Sequence, residues 1–366
     1  MKKILIAAGG TGGHLFPALA VVEKLKELYD DEIDFQFFGR KDKIEGKIIP
    51  QLRYKFHTTN LTGLVKLASL NTVKIPFQIL SSVLKLNKII KEENIDAVLC
   101  AGAYLSYPAG LSAYFCKKKL FLMESNVNPG KAIKYLAKKA DIIFTNFDET
   151  KNYFNENIAK KIKNFGNPIR KQIFEKVDKN TAKEFWKLDK EKPTVLIFGG
   201  SLGATSINNA VLKSLEKFAN SQFQIIWQTG NANKIDTKLP PNINLVNFID
   251  DMALAYSAAD LVVSRSGATT VTELTVVGKP SILVPLPSAS NNEQFFNAKF
   301  LEKNGAAIII NNSDISEQLF DTVNKLINDF PLLNKMSNSA KSLAKPDASE
   351  LIAKEIYTQL LPNIHY

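Results

Sequence analysis

Short apolar runs alternate with longer amphipathic segments along the first half of the chain. Ile4–Ala8 is a continuous apolar run, and after it Ala18, Val21, Val22 and Leu25 recur at helical spacing. This pattern predicts a buried strand followed by a helix over about 16–29. Further strands are predicted at Phe35–Phe38, Ala97–Leu99, Leu120–Met123 and Ile142–Phe144. Strands separated by helix-length segments indicate a parallel sheet with helices on both faces.

The same pattern restarts in the second half. Thr194–Phe198 is again an apolar run, and a helix is expected from about Ser206. The later predicted strands are Gln224–Trp227, Asn244–Val246, Leu261–Val263, Ser281–Val284 and Ala307–Ile310. The 366 residues therefore divide into two α/β halves, which suits the usual domain size of about 100–200 residues. Gly166-Asn167-Pro168 and the polar segment 175–193 mark the expected hinge and its approach.

A glycine-rich turn follows the first strand of each half. GGTGG occupies 9–13 and GGSLG occupies 199–203. Such a turn exposes backbone N–H groups beside a helix N-terminus and can bind phosphate, although glycines also serve simply to allow a tight turn. A dinucleotide site is disfavoured, because Leu15 stands where the third glycine of G-x-G-x-x-G belongs.

The second half carries a longer motif at 260–273, in which a strand runs into Ser266-Gly267 and then into a helix. Ser266, Thr269 and Thr270 offer donors at the helix start, where a diphosphate can bind. Glu273 lies one turn further and can accept both hydroxyls of a ribose. An acid in the first turn of a helix is also favoured by the helix dipole alone.

The net charge of +11 resides in the first half. Residues 1–170 contain 27 Lys and Arg against 16 Asp and Glu, whereas residues 171–366 contain 20 of each. The excess indicates either a lysine-decorated surface or attraction to an anionic membrane or nucleic acid. Val73–Leu86, interrupted by Lys74 and Lys85, fits an amphipathic membrane-binding segment or an ordinary core helix.

Cysteine usage and the absence of long apolar runs bear on location. Cys100 and Cys116 lie in apolar surroundings and are expected to be reduced, as in a reducing compartment. The apolar run at the start ends in glycines and is expected to be a strand rather than a signal peptide. No run approaches the roughly 18 apolar residues of a membrane-spanning helix.

His14 directly follows the first glycine turn. A helix N-terminus favours the neutral imidazole, which can act as a base, but capping or packing is an equal alternative. No Asp-x-Asp pair and no Cys/His cluster with zinc spacing occurs. We therefore expect no metal and no cofactor, with helix dipoles and Arg170 neutralising a diphosphate.

These motifs together resemble the MurG family. The similarity comprises GGTGGH at 9–14 with FPALA at 16–20, GAYLS at 102–106, ESN at 124–126, GNPIR at 166–170, GGSLGA at 199–204, FIDDM at 248–252, RSGA at 265–268 and NA at 297–298. The chain departs from the family pattern at Met123, Ser125 and Glu293.

The resemblance implies a GT-B fold, in which two Rossmann-like domains face a cleft. The domains are expected at 1–168 and 169–348, with a final helix at about 349–366 returning to the first. The implied activity is an inverting transfer of N-acetylglucosamine from UDP-N-acetylglucosamine (UDP-GlcNAc) to the undecaprenyl-linked muramyl-pentapeptide (lipid I), in peptidoglycan synthesis. The enzyme is expected at the cytoplasmic face of the bacterial membrane, bound peripherally to anionic lipid.

The family's site residues map onto this sequence one by one. His14 is the expected base, with Tyr104 and Glu124 on the acceptor side. The expected UDP-GlcNAc contacts are Thr11, Gly12, Gly13, Asn126, Arg170, Ser201, Ile249, Ala268, Thr269, Thr270, Val271, Thr272, Glu273 and Gln294. The resemblance assigns the backbone of Ile249 to the uracil, Glu273 to the ribose and Gln294 to the sugar hydroxyls.

Two alternatives remain open. A related GT-B enzyme, such as a UDP-GlcNAc 2-epimerase or a glycolipid glycosyltransferase, uses a similar donor without this acceptor. A basic nucleic-acid-binding module is the other, but the chain has no helix-turn-helix, zinc-finger or aromatic RNA-binding signature, so no nucleic-acid partner is expected.

Overall fold

The computed structural model describes residues 1–62, 75–200, 202–230 and 235–361. Val73, Lys74 and Ser201 lie outside the described residues. The chain divides into two compact units. It runs from the first unit into the second and returns to the first at its end. Unit 1 comprises Met1–Ile169 and Lys345–Tyr366, and unit 2 comprises Arg170–Ala344.

Unit 1 alternates strands and helices. Its strands are β1 (Lys2–Ala7), β2 (Ile33–Gly39), β3 (Lys55–Thr58), β4 (Ala97–Cys100), β5 (Lys119–Glu124), β6 (Ile142–Thr145) and β7 (Ile162–Lys163). Its helices are α1 (Gly12–Tyr29), α2 (Ile44–Gln51), α3 (Ile75–Glu92), α4 (Ser106–Phe115), α5 (Lys131–Leu136) and α6 (Glu156–Ala159).

The seven strands of unit 1 form a parallel sheet in the order β3-β2-β1-β4-β5-β6-β7. Because side chains alternate across a strand, Ile4 and Ile6 face one core while Leu5 and Ala7 face the other. Helix α1 covers the first face, and α3, α4 and α5 cover the second. Burial on both faces explains why these strands are continuous apolar runs.

The helices of unit 2 are α7 (Lys179–Phe185), α8 (Thr205–Lys213), α9 (Leu215–Ala219), α10 (Met252–Ala258), α11 (Ala268–Val277), α12 (Glu293–Lys303), α13 (Ile315–Ile327) and α14 (Phe330–Ser342). Its strands are β8 (Thr194–Phe198), β9 (Gln224–Gln228), β10 (Ile243–Val246), β11 (Leu261–Ser264), β12 (Ser281–Leu283) and β13 (Ala307–Ile309). They form a second parallel sheet in the order β10-β9-β8-β11-β12-β13.

The last helix, α15 (Ala348–Leu360), belongs to unit 1. It packs on α1 over the face of the first sheet that carries Ile4 and Ile6. Tyr357 stacks on Tyr29 with ring centroids 3.6 Å apart, and its hydroxyl donates to Glu32. These contacts attach the end of the chain to the domain in which it began.

Helix α1 begins at Gly12, four residues earlier than the apolar stripe predicts. The glycines after Thr11 therefore form its first turn instead of a separate loop. Within the described ranges, no helix combines the length and the apolar character needed to cross a bilayer.

Candidate active site

In both sheets the first strand lies inside the sheet, and later strands are added first on one side of it and then on the other. The order of addition changes direction between β1 and β4 in the first sheet and between β8 and β11 in the second. Ligands of open parallel sheets bind beyond the carboxyl ends of the strands at such a reversal. The first glycine turn follows β1, and the second follows β8. The fold thus places one glycine turn at the switch point of each unit.

In unit 1, the first glycine turn is partly filled by a carboxylate of the chain itself. Glu45 of α2 is completely buried, and its carboxylate accepts hydrogen bonds from the N–H of Gly10 at 2.9 Å and of Arg40 at 3.1 Å. A Cβ at Gly9 would lie 2.3 Å from Glu45 Cδ, and a Cβ at Gly39 would lie 2.6 Å from its Cγ. These two glycines therefore make room for Glu45, and the Gly10 N–H is already hydrogen-bonded.

His14 lies in the first turn of α1 against the loop that follows β4. Its Nδ1 is 2.9 Å from the hydroxyl of Thr11. A Cβ at Gly102, whose φ is +84°, would come within 2.8 Å of the imidazole Cδ2, so the ring packs directly on that glycine. The ring is partly exposed, yet desolvation lowers the pKa of His14 from 6.5 to about 4. The imidazole is therefore neutral near pH 7, as a general base requires.

Tyr104 lies beside the same turn, with Cε1 3.4 Å from the position of a Cβ on Gly10. Its hydroxyl oxygen is buried and has no hydrogen-bond partner among the described residues. Burial raises the pKa of Tyr104, and the nearby Arg40 guanidinium opposes that rise. The phenol thus remains protonated and can donate to a ligand.

Glu124 ends β5 and is buried. One carboxylate oxygen accepts from the backbone N–H of Asn126 at 2.8 Å and from its Nδ2 at 3.1 Å, and the other accepts from the Gly130 N–H at 2.7 Å. Burial raises the pKa of Glu124, while these hydrogen bonds oppose the rise. The carboxylate holds the 125–130 loop and orients the Asn126 amide.

In unit 2, the second glycine turn opens into a pocket of about 480 Å³. The pocket is lined by both the 199–206 segment and the loop after β11, together with residues of later loops: Gly199, Gly200, Gly203, Ala204, Thr205, Ser206, Arg265, Gly267, Thr270, Leu286, Gln294 and Asn312. Its volume lies within the usual range for small-molecule sites, about 300–1,000 Å³. Thr270 and Gln294 are the predicted contacts that line it directly.

Three sources of positive potential converge on this pocket. Helices α8 and α11 both begin at its wall, so their N-terminal N–H groups lie beside it. The Arg265 guanidinium donates to the Val284 carbonyl at 3.0 Å, to Asn312 Oδ1 at 2.8 Å and to Ser206 Oγ at 2.9 Å. These acceptors carry no formal charge, so the cation is held in place without being neutralised by them. The pocket is therefore suited to an anion.

The predicted run from Ala268 to Glu273 forms the first turns of α11. Thr269 Oγ1 is buried without a partner in the described part of the chain. Val271 points into the core, and Thr272 donates its hydroxyl to the Ala268 carbonyl at 2.9 Å. Gln294 accepts the Leu286 N–H at 3.0 Å through Oε1, which leaves its NH₂ for other contacts.

Glu273 is only 4% exposed and accepts two hydrogen bonds. Tyr256 donates its hydroxyl to Oε2 at 3.0 Å, and Arg170 Nη2 lies 3.4 Å from Oε1. Burial raises the pKa of Glu273, and Arg170 and Tyr256 oppose the rise. The structure thus places Arg170 against Glu273, the carboxylate that is predicted to bind the ribose.

Two family models match this chain. The glycosyltransferase family 28 N-terminal domain matches residues 4–145, and the family 28 C-terminal domain matches residues 194–352. The structure of Acinetobacter baumannii MurG has 28% sequence identity and a TM-score of 0.76, over 98% of this chain and 100% of that chain. A Finegoldia magna protein is 36% identical over 364 residues, 97% of each chain; its name is UDP-N-acetylglucosamine--N-acetylmuramyl-(pentapeptide) pyrophosphoryl-undecaprenol N-acetylglucosamine transferase.

The chain belongs to the MurG family. The predicted family and GT-B fold class are thereby confirmed. The UDP-GlcNAc 2-epimerase of Neisseria meningitidis, solved with UDP-GlcNAc bound, has a TM-score of 0.67 at 16% identity over 97% of this chain and all of that chain. That likeness shows a shared fold alone.

Three buried polar residues of this MurG family member were not found by sequence reasoning: Glu45, Gln228 and Tyr256. Gln228 accepts the Ile249 N–H at 2.8 Å and donates to the Gly200 carbonyl at 2.9 Å, so it joins the predicted uracil loop to the second glycine turn. Each of the three has a hydrogen-bond partner at least 17 positions away along the chain. The local sequence around each of the three does not specify its partner.

Proposed function

We propose that this chain transfers N-acetylglucosamine from UDP-GlcNAc to the muramyl 4-hydroxyl of lipid I, forming lipid II in peptidoglycan synthesis. The observation that carries the proposal is the unit 2 pocket, where two helix N-termini and Arg265 converge. Such a site stabilises the diphosphate that leaves as the glycosidic bond forms.

Unit 2 supplies the main donor contacts in this proposal. The turn at 199–203, including Ser201, and the start of α11 with Ala268, Thr269 and Thr270 bind the diphosphate. Glu273 accepts the ribose hydroxyls, with Arg170 beside it, and Ile249 binds the uracil through its backbone. Gln294 donates to the sugar hydroxyls. Val271 and Thr272 stay predicted contacts, although the Val271 N–H already donates to the Gly267 carbonyl at 3.0 Å and the Thr272 hydroxyl donates to the Ala268 carbonyl at 2.9 Å.

Unit 1 supplies the groups for the acceptor, with His14 as the base. The acceptor oxygen attacks the anomeric carbon, the bond from that carbon to the phosphate oxygen breaks, and UDP leaves with the electron pair. The hydroxyl proton passes to Nε2 of His14. For Nε2 to accept it, Nδ1 must carry a proton and donate to the Thr11 hydroxyl, 2.9 Å away.

The remaining unit 1 candidates receive supporting roles. Glu124 positions Asn126, because its two oxygens already accept three N–H groups of the 125–130 loop. Tyr104 is assigned as a donor to the acceptor through its hydroxyl, which has no hydrogen-bond partner in the described part of the chain. Thr11, Gly12 and Gly13 contact substrate at the start of α1. The preceding N–H, that of Gly10, is not available because it donates to Glu45.

We further propose that unit 1 binds the anionic cytoplasmic face of the cell membrane peripherally. Phe77, Leu80 and Leu84 of α3 are 71%, 57% and 62% exposed and share one face of the helix. Helix α4 packs on α3, where Ser112 Oγ donates to the Val83 carbonyl at 3.2 Å. An exposed apolar helix face of this kind can insert at the boundary of headgroups and acyl chains.

Aromatic and basic side chains continue this surface on the neighbouring helices. Tyr114 and Phe115 end α4 and are more than half exposed, and Tyr135 of α5 is 51% exposed. Lys139 Nζ lies 5.3 Å from the ring centroid of Tyr114 and 5.1 Å from that of Tyr135. Lysines beside aromatic rings suit a negatively charged lipid surface, so we propose anionic lipid, and not nucleic acid, as the partner.

We propose that catalysis needs no metal or other cofactor. The helix N-termini and Arg265 supply the positive potential that other enzymes obtain from a divalent cation. Treatment with a strong chelator should accordingly leave turnover unchanged. A loss of activity that Mg²⁺ or Mn²⁺ restores would contradict this part of the proposal.

The function is tested by incubating purified protein with UDP-GlcNAc and a soluble lipid I analogue. The expected products are UDP and a disaccharide with a β-linked N-acetylglucosamine, identified by mass spectrometry and NMR. A reaction lacking the acceptor is the control. Release of free epimerised sugar in that control, with no disaccharide in the full reaction, would favour an epimerase instead.

A further inference from the structure

Tyr256 lies at the inner side of the proposed ribose site. It lies in the last turn of α10, is 1% exposed, and packs edge-on against Phe198 with ring centroids 6.2 Å apart. Phe198 ends β8, directly before the second glycine turn. The ring therefore fills the core behind the pocket, and only its hydroxyl reaches a functional residue.

That hydroxyl donates to Glu273 Oε2 at 3.0 Å, while Arg170 Nη2 lies 3.4 Å from Oε1. A carboxylate has about four lone-pair sites. One donor on each oxygen leaves capacity on both oxygens for two further hydroxyl groups. Two donors on opposite oxygens also fix the plane of the carboxylate, which a helical Glu side chain does not fix by itself.

Burial determines that Tyr256, and not Glu273, carries the proton of the hydrogen bond between them. The pKa of Tyr256 is raised well above its usual value, first by desolvation and then by the charge of Glu273. The phenol thus stays protonated and acts as the donor. Its hydrogen bond, with the Arg170 charge, opposes the desolvation that raises the pKa of Glu273, so it favours the anion that a ribose needs as acceptor.

We propose that Tyr256 is a positioning residue that aligns the Glu273 carboxylate with the 2′- and 3′-hydroxyls of the donor ribose, and so sets the preference for ribose over deoxyribose. The inference rests on the proposed role of Glu273. A site built to bond a hydroxyl rejects the analogue that lacks it, because its own polar group is then left unpaired. The strength of that rejection depends on how well the carboxylate is held.

The test measures the dissociation constants of UDP and 2′-deoxy-UDP by titration calorimetry on the full-length protein. Four proteins are compared: the wild type, Tyr256→Phe, Glu273→Ala and the control Tyr54→Phe, whose hydroxyl lies in unit 1. The phenylalanine keeps the ring and its packing on Phe198. We expect the wild type to prefer UDP about ten-fold, as a hydrogen bond to a charged group allows.

Glu273→Ala should abolish this preference, and Tyr256→Phe should reduce it several-fold, because it weakens UDP, which offers two ribose hydroxyls to Glu273, more than 2′-deoxy-UDP, which offers only the 3′-hydroxyl. Tyr54→Phe should preserve it. If Glu273→Ala loses the preference but Tyr256→Phe keeps it in full, Tyr256 has no positioning role. Equal weakening of both nucleotides in Tyr256→Phe would assign the residue to packing alone and also overturn the inference. If Glu273→Ala retains the preference, the ribose role of Glu273 itself is wrong.

Discussion

Glu45 lies directly beneath Gly9, with its carboxylate where a Cβ of that residue would be. The same carboxylate accepts the N–H of Gly10 and of Arg40. The two glycine turns therefore differ: the first encloses a carboxylate of the chain itself, and the second lines a pocket that suits an anion. Similar sequences at equivalent places in two sheets thus have different electrostatics.

Gly9→Ala should destabilise unit 1. The new Cβ would lie 2.3 Å from Glu45 Cδ, so the carboxylate must move and release two partly buried N–H groups. An unsatisfied buried donor costs about 1–3 kcal/mol. We expect a lower melting temperature by calorimetry and a lower transferase rate.

The matched control is a double-mutant cycle with Glu45→Ala. Once the carboxylate is gone, Gly9→Ala should add little further destabilisation, with a coupling of roughly 0.5–3 kcal/mol between the two sites. Additive effects would mean that the glycine is needed for another reason.

His14→Ala should lower kcat by about 10²–10⁴-fold and leave the KM for UDP-GlcNAc nearly unchanged, because a base acts on the acceptor proton. The base is active when unprotonated. Since its pKa is lowered to about 4, His14 should impose no loss of kcat/KM between pH 8 and pH 5, and a loss only as the pH falls towards 4. Steady-state rates across this range check both expectations.

Thr11 provides the companion variant, since its hydroxyl pairs with Nδ1 of His14. Thr11→Val should reduce kcat, and Thr11→Ser should restore it. An acid limb centred near 6.5, or near-normal turnover in His14→Ala, would return His14 to a packing role.

Gln228→Met should weaken UDP binding about ten-fold. The side chain is 3% exposed and joins Ile249 to Gly200, so its loss frees the proposed uracil loop from the proposed diphosphate turn. Titration with UDP measures the effect. Gln36→Met is the control, because Gln36 is equally buried but hydrogen-bonds His57 in unit 1. Equal changes in the two variants would argue against a specific role.

Leu80→Ser combined with Leu84→Ser should reduce co-sedimentation with vesicles containing phosphatidylglycerol, because each substitution removes exposed apolar surface from α3. Activity on a soluble acceptor should stay near the wild-type value. Leu351→Ser is the control: Leu351 is 42% exposed on α15, which covers the opposite face of the same sheet. If vesicle binding falls only in the control, the membrane surface lies on the α15 side.

Much of the fold follows from local signals in the sequence. Apolar runs such as Ile4–Ala8 and Thr194–Phe198, each followed by glycines and an amphipathic segment, predict the parallel sheets and their switch-point turns. Both strands exist close to their predicted bounds, as β1 and β8. The reason is that a strand buried on both faces must be apolar throughout, which any single sequence displays.

The site itself required tertiary structure. Thr270 and Gln294 were expected from the family resemblance, but the sequence does not show that Arg265 joins them at one pocket, or that Glu45 occupies the first turn. Gln228 and Tyr256 are ordinary strand and helix residues by pattern. Hydrogen bonds between residues 17 to 35 positions apart depend on how whole elements pack, and no local periodicity encodes which buried donor meets which acceptor. The sequence alone therefore determined the two sheets and predicted a phosphate-bearing ligand, whereas packing decided that Glu45 fills the first glycine turn and that the second lines a pocket.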